Sequence, residues 1–289
     1  MAFNVQTFKT RALTAVVFVV VMMAGLLWNE WSFFILFSVV HFGAWMEYQK
    51  LVEAFNPDYK TISAFHRYGV ITGGWCLLLY FTSGDLYIGN VRLNEVGFWL
   101  GLASMILIPL VIVLERKGAL IKNLGYSLSG LIYISLSLGL LIGLRTLYGL
   151  NAEGKEGLGK ALVLTLIFSI WINDTMAYIV GSFIGKTPFS KISPKKTWEG
   201  TGGGAILCVI AMAFIGHALG LRYVDAAFIA GIAAVTGTIG DLFESKLKRM
   251  AGVKDSGSFM PGHGGFLDRF DSLLFASVAV WVYVQLAMR

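Results

Sequence analysis

Between Gly240 and Asp271 the chain carries five acids, Asp241, Glu244, Asp255, Asp268 and Asp271, and five bases, Lys246, Lys248, Arg249, Lys254 and Arg269. Apolar segments flank this turn on both sides. Charge placed there is costly for a chain that crosses a bilayer, and costly charge marks function. Asp241 and Ser245 are four residues apart and share a helical face, while Asp268 and Asp271, three apart, share another. Two such helix ends brought together present several carboxylate oxygens. That hard donor set suits Mg²⁺, which binds one or two carboxylates plus substrate phosphates. The surrounding bases could hold those phosphates. Pro261-Gly262-His263-Gly264-Gly265 forms a tight small-residue loop that leaves His263 close to the acids. The helix dipole accounts for acids at an N-terminus, such as Asp268 and Asp271. It does not account for Asp241, which falls inside an apolar segment.

Two stretches upstream have related chemistry. Asn173, Asp174 and Thr175 interrupt an apolar segment, with Asp174 about ten residues, or roughly 15 Å of helix, from its basic end. An interhelical hydrogen bond would explain the Asn; an ionisable carboxylate at that depth needs a partner or water. Next comes Ser193-Pro194-Lys195-Lys196-Thr197-Trp198-Glu199-Gly200, then Gly202, Gly203 and Gly204. Ser193-Pro194 reads as an N-cap and first-turn pair. Lysines just inside a helix N-terminus oppose its dipole unless an anion binds there. The glycine run would let a phosphate approach the backbone. A basic anchor with a flexible helix start explains the same residues equally well.

The elements that must position these groups are membrane helices. The chain is 56% hydrophobic and 14% charged, with a mean hydropathy of +0.72, against about 25% charged residues in soluble domains. Apolar runs of spanning length predict an all-α polytopic transmembrane helical bundle of about nine spans, near 11–28, 31–48, 66–82, 96–114, 124–148, 160–184, 199–221, 225–243 and 266–287. Residues 1–160 supply about five spans for scaffold or lipid access. Residues 161–289 form a catalytic region of about four spans and two cytoplasmic loops. The first span is followed by no small-residue cleavage site, so it is expected to be retained.

Loop charge orients the bundle. One set of segments holds Lys9, Arg11, Lys50, Lys60, Arg67, Arg116, Lys117, Lys122, Lys186, Lys191, Lys195, Lys196 and the five bases of the opening turn. That is seventeen of the 23 Lys and Arg residues, which places the set, and the opening turn with it, in the cytoplasm. The net charge of +6 therefore reads as topology and contact with anionic lipid or substrate, not nucleic acid.

Other features read as structural. Trp28, Trp31, Trp45, Tyr48 and Trp99 fall near span ends, as aromatic-belt residues do. His41, His66 and His217 are isolated and read as packed or interfacial. Cys76 and Cys208 read as small core residues. Glu47 and Glu53 with Lys50 read as a solvated face after the second span. Gly181 and Gly185 form a small-residue pair suited to close helix packing.

The runs Ser245-Lys246-Leu247-Lys248-Arg249, Lys254-Asp255 and Pro261-Gly262-His263-Gly264-Gly265-Phe266-Leu267-Asp268-Arg269-Phe270-Asp271 closely resemble the signature of the phosphatidate cytidylyltransferases. Asn173-Asp174, Ser193 to Gly200 and Gly240 to Ser245 resemble further motifs of that family. The resemblance covers residues 170–271; residues 1–160 match only in being several spans. It implies that CTP and phosphatidic acid give CDP-diacylglycerol and pyrophosphate at the cytoplasmic boundary of a plasma membrane. It also implies metal ligation by Asp241 and Asp268, with Asp271 a third ligand, and catalysis by these acids with Lys248 and Arg249. Lys195, Lys196, Lys246, Lys248 and Arg249 would bind phosphates, and Asn173 and Asp174 would line the cavity. Ser193, Thr197, Glu199, Ser245, Lys254, Asp255, His263 and Arg269 complete the expected substrate contacts. His263 is expected to shape the loop or touch phosphate, because a phosphate nucleophile is already ionised near neutral pH. Mg²⁺ is the expected cofactor, with a second cation left open, and membrane lipids are partners. Homodimerisation is common in such bundles, but no interface is legible. Two alternatives use the same residues: a CTP-dependent lipid-alcohol kinase and a cation transporter. No internal repeat favours the transporter.

Overall fold

The computed structural model describes residues 5–82, 84, 86–115, 120–147, 157–190, 192–260 and 264–288. Ten α-helices dominate: α1 (Val5–Leu27), α2 (Glu30–Phe55), α3 (Ala64–Tyr80), α4 (Leu93–Glu115), α5 (Leu120–Gly130), α6 (Ser137–Thr146), α7 (Leu158–Ile184), α8 (Trp198–Ala218), α9 (Tyr223–Met250) and α10 (Leu267–Ala287). A π-helical segment, Leu131–Leu136, joins α5 to α6. The one departure from helix among the described residues with strand pairing is a hairpin of β1 (Tyr87–Ile88) and β2 (Val91–Arg92), turned at Gly89 with φ 61°.

Among the described residues six helical stretches are long and apolar enough to cross a membrane: Leu93–Leu114, Ile121–Thr146, Leu158–Ile184, Trp198–Ala218, Tyr223–Met250 and Leu267–Ala287. The chain is a multi-pass membrane protein. These six match the last six expected spans. The first three correspond to a shorter apolar stretch, Ala12–Leu27, to α2 with its Glu47, Lys50 and Glu53, and to the 17-residue α3. The six also differ in setting: only 11% of the most apolar window of α4 is buried, against 72% of that of Ile121–Thr146.

The chain forms two compact units. The first comprises residues 1–139 and 247–270, the second 140–246 and 271–289. The 247–270 turn thus falls in the same unit as the N-terminal helices. In the first unit α2 starts at a capping box, Asn29 accepting from Ser32 N while Ser32 Oγ accepts from Asn29 N. The unit holds two polar knots, the first on the buried face of α2. Ser135 of the π segment meets both His41 Nε2 (2.9 Å) and the Trp45 indole N–H (2.8 Å). Ser127 meets His66 Nε2 and the Tyr59 hydroxyl. His41 and His66 are thus packed residues. Trp45 and Tyr48 are fully buried rather than interfacial, whereas Trp28 and Trp99 are exposed.

In the second unit α7 and α8 pack at backbone distance. A Cβ on Gly200 would strike Ala177 O and Gly181, and one on Gly204 would strike the Ala177 backbone. Cys208, Met212 and Ala230 form a small core with Phe168, Ile172 and Val209, and both cysteines are free and buried. Helix α8 stops at Gly220 (φ 99°), whose left-handed geometry lets Leu221 N reach Gly216 O.

Candidate active site

The chemistry-bearing residues fall into three groups. Two lie in the second unit and one in the first.

In the second unit, Asp241 and Glu244 on α9 and Asp271 on α10 bring one carboxylate oxygen each to within 4.8 Å of one another. Close helix approach makes this arrangement. A Cβ on Gly240 would collide with Asp271 O, and one on Gly237 would press on Ser272. Glu244 is fully buried, and Asp241 and Asp271 are half-buried. Like charges so close are costly unless a cation or a proton offsets them. Lys196 is one such cation, its Nζ paired with Asp241 Oδ2. The clustered hard oxygens are a donor set that could hold a divalent cation such as Mg²⁺.

The second group is the loop that carries Lys196. It runs from Gly185 to Thr197 and folds on itself: Phe189 N donates to Lys196 O (2.7 Å), Trp198 N to Thr187 O, and Lys196 N to Ser193 O. Glu199 clamps it. Its Oε2 accepts from Lys186 N and Thr187 N (both 3.1 Å), and its Oε1 from Thr187 Oγ1 (2.7 Å). Helix α8 begins at Trp198 with Thr197 as N-cap, its hydroxyl accepting from Gly200 N. Ser193-Pro194 is therefore a turn ahead of the helix and not its cap. The lysines precede the helix, so they do not oppose its dipole. The glycine run also has a different duty. Gly200, Gly203 and Gly204 face α7, and only Gly202 faces open space.

The third group is the 247–270 turn of the first unit. Helix α9 ends where Gly252 takes φ 71°, letting Val253 N reach Lys248 O. Asp268 Oδ1 then accepts from Lys248 Nζ (2.6 Å), and its Oδ2 from Ser256 N, Ser256 Oγ and Gly265 N at 2.8–2.9 Å. Glu47, from α2, enters the same turn. Its Oε1 accepts from Phe266 N (2.9 Å), and its Oε2 from Leu267 N (2.9 Å) and Ser256 Oγ (2.7 Å). Leu267 N, the first N–H of α10, which no helical carbonyl can satisfy, and the Gly265 and Phe266 N–H groups just before the helix are thus taken by two internal carboxylates. Glu47 is only 6% exposed. The expected solvated face is wrong for Glu47, because a negative charge at a helix N-terminus with three donors is well paired in the interior. Glu53 pairs with Arg67.

A match to the Cytidylyltransferase family runs over residues 9–287. The chain belongs to that family. It is 32% identical over 218 residues to phosphatidate cytidylyltransferase 5, chloroplastic, of Arabidopsis thaliana, covering 70% of this chain and 53% of the relative. To the phosphatidate cytidylyltransferase of Bacillus subtilis it is 37% identical over 181 residues, 62% of this chain and 66% of the relative. The corresponding protein of Helicobacter pylori is 37% identical over 140 residues, 48% and 51%. The chain spans about half the length of several curated relatives it matches.

Within this cytidylyltransferase-family chain the expected site residues divide as follows. Asp241 and Asp271 sit together, joined by Glu244, which was not among the expected ligands. Its signal was present in the sequence: Asp241 and Glu244 are three apart on one helix face. Asp268 belongs to the other unit and is engaged by Lys248, Ser256 and Gly265. Asn173 is buried in α7, its Oδ1 lacking a hydrogen-bond donor, and Asp174 is on an exposed face of the same helix. Ser245 is a long 3.4 Å from Asp241 Oδ1. Lys195, Lys246, Arg249, Lys254, Asp255 and Arg269 are exposed, with Arg249 donating to Val253 O. His263, with Pro261 and Gly262, lies outside the described residues.

Proposed function

We propose that this chain is a phosphatidate cytidylyltransferase, converting CTP and phosphatidic acid to CDP-diacylglycerol and pyrophosphate. The observation that carries the reading is the Asp241–Glu244–Asp271 cluster with Lys196 against it, in a multi-pass membrane protein of the cytidylyltransferase family. Acids and bases gathered at the ends of membrane helices suit a reaction whose lipid comes from the bilayer and whose nucleotide comes from water. The seventeen-to-six distribution of Lys and Arg supports a cytoplasmic face for them. If α1, α2 and α3 also cross the membrane, they and the six long apolar helices would make nine spans.

The reaction joins two anions. A phosphatidate phosphate oxygen attacks the α-phosphorus of CTP, forming one P–O bond, while the bond to the β-phosphate breaks and pyrophosphate leaves. No base is required, because the attacking phosphate is already ionised. What the protein must supply is charge and alignment. Asp241, Glu244 and Asp271 would hold Mg²⁺, which would neutralise phosphate oxygens when bound. Lys196 lies beside these acids and can turn to a phosphate, with Lys195 next to it on a loop that Glu199 stiffens. Lys248, Arg249, Lys246, Lys254 and Arg269 are further phosphate contacts that the family signature nominates.

Radiolabelled CTP with phosphatidic acid and Mg²⁺ in liposomes tests the reading. Label from the α-phosphate should enter the lipid fraction, with release of pyrophosphate. A lipid that gains only the γ-phosphate would make the chain a lipid kinase, and no transfer at all would remove the enzyme reading.

A further inference from the structure

Glu47 is more than two hundred residues from the turn it enters, and it lies outside residues 170–271, which carry the resemblance to the family signature. We propose that Glu47 is a positioning residue: its buried carboxylate fixes the 256–268 turn and thereby sets the placement of Asp268 and Lys248. Four observations in the first unit carry this. The carboxylate binds bidentately to consecutive N–H groups, Phe266 and Leu267, immediately before Asp268. The Ser256 hydroxyl lies 2.7 Å from Glu47 Oε2 and 2.9 Å from Asp268 Oδ2. A hydroxyl has one proton, so it links the two acids and its orientation depends on both. Gly257 and Gly265 leave the space that Glu47 fills, since a Cβ on either would collide with its carboxylate. Phe266 is held from the other side, its ring over Gly43 of α2 and stacked on Phe259 with centroids 4.1 Å apart.

The chemistry explains why an acid is needed. One backbone N–H points at each carboxylate oxygen, so both oxygens must accept. Glutamine has the same shape but replaces one acceptor by an NH₂ that would face a backbone N–H. The turn would then have to shift, and with it the Asp268 carboxylate that receives Lys248. Misplacement of a reacting constellation by about 1 Å can cost about 100-fold, and loss of an outer partner of a site costs about 10- to 100-fold.

The kinetic part of the test rests on the cytidylyltransfer reading; the structural part does not. In Glu47→Gln, kcat per folded molecule should fall by about 10- to 100-fold, with KM for CTP unchanged. Amide hydrogen exchange at Phe266 and Leu267 should quicken. A role confined to stability would lower the melting point and leave kcat per folded molecule alone. That result, or a fall in kcat without faster exchange at those amides, would overturn the proposal. If Glu47→Gln does not fold, Ser256→Ala removes only the hydroxyl that links Glu47 and Asp268, leaving the two backbone contacts of Glu47 in place, and should lower kcat in the same way but less; unchanged kcat there overturns it. If the wild-type chain transfers no cytidylyl group, the functional reading fails. The exchange experiment then decides the clamp alone, with unchanged protection in Glu47→Gln counting against it.

Discussion

Glu199 and Glu47 both direct their carboxylates at backbone N–H groups and a hydroxyl, but over different chain distances. Glu199 reaches back 12 and 13 residues to the loop that carries Lys195 and Lys196. Glu47 reaches across 209 to 220 residues to the turn that carries Asp268. The local clamp closes a short loop and sits at its solvent edge. The remote clamp is buried, where each N–H left unsatisfied would cost about 1–3 kcal/mol and where charge is felt more strongly. A local clamp can shape a loop that still moves to meet a substrate. A buried one fixes a turn before any substrate arrives. The difference predicts that the Lys196 loop governs binding and the Asp268 turn governs the chemical step.

The largest expected effect separates the acid cluster from the clamped acid. Asp241→Asn and Asp271→Asn should each lower kcat by about 100- to 1000-fold, the scale for removing one transition-state charge contact. Their residual activity should require more Mg²⁺. Asp268→Asn should also lower kcat, through loss of Lys248, without raising the Mg²⁺ requirement. Mg²⁺ titration of initial rates in the three variants checks this. A raised requirement only in Asp268→Asn would exchange the two roles.

Next in size is Gly265→Ala. Its Cβ would meet both Glu47 oxygens, so the variant should act like a weakened Glu47, with kcat down by about 10-fold or more. Full activity would show that the turn can yield without cost. Below it stands Glu199→Gln, which keeps the side-chain length but loses one acceptor. We expect KM for CTP to rise several-fold, about 1 kcal/mol of binding, with kcat retained. A kcat loss with unchanged KM would erase the distinction between the two clamps.

The sequence made much of this legible, for reasons tied to particular residues. Apolar runs of spanning length are a one-dimensional signal, so the six long helices could be read directly. Asp241 and Asp271 stood out because acids are expensive beside apolar helices. Glu199 was nominated through its place in the Ser193 to Gly200 motif, as a substrate contact, and its clamp on Lys186 and Thr187 came only with the structure. Glu47 was not, because its partners converge only when α2 meets the 256–268 turn, and alone it looks like one acid among neighbouring charges. Trp45 was read as interfacial for the same reason: its partner Ser135 is 90 residues away. The glycines of α8 were read as room for phosphate, whereas three of four face α7. Glycine permits close approach, but the sequence does not say of what.

The smallest effect tests the Lys196 loop from its other end. Thr197 was expected to contact substrate, yet its hydroxyl accepts from Gly200 N and caps α8. Loss of such a cap costs about 1 kcal/mol. Thr197→Ala should therefore lower the melting point in detergent by a few degrees, and Thr197→Ser should restore it, because serine keeps the oxygen. KM for CTP should hardly change, since Glu199 still ties the loop to α8 through Lys186 and Thr187. A raised KM with an unchanged melting point would return Thr197 to the substrate. The cap would then be incidental, and Glu199 would not be enough to hold the loop in place.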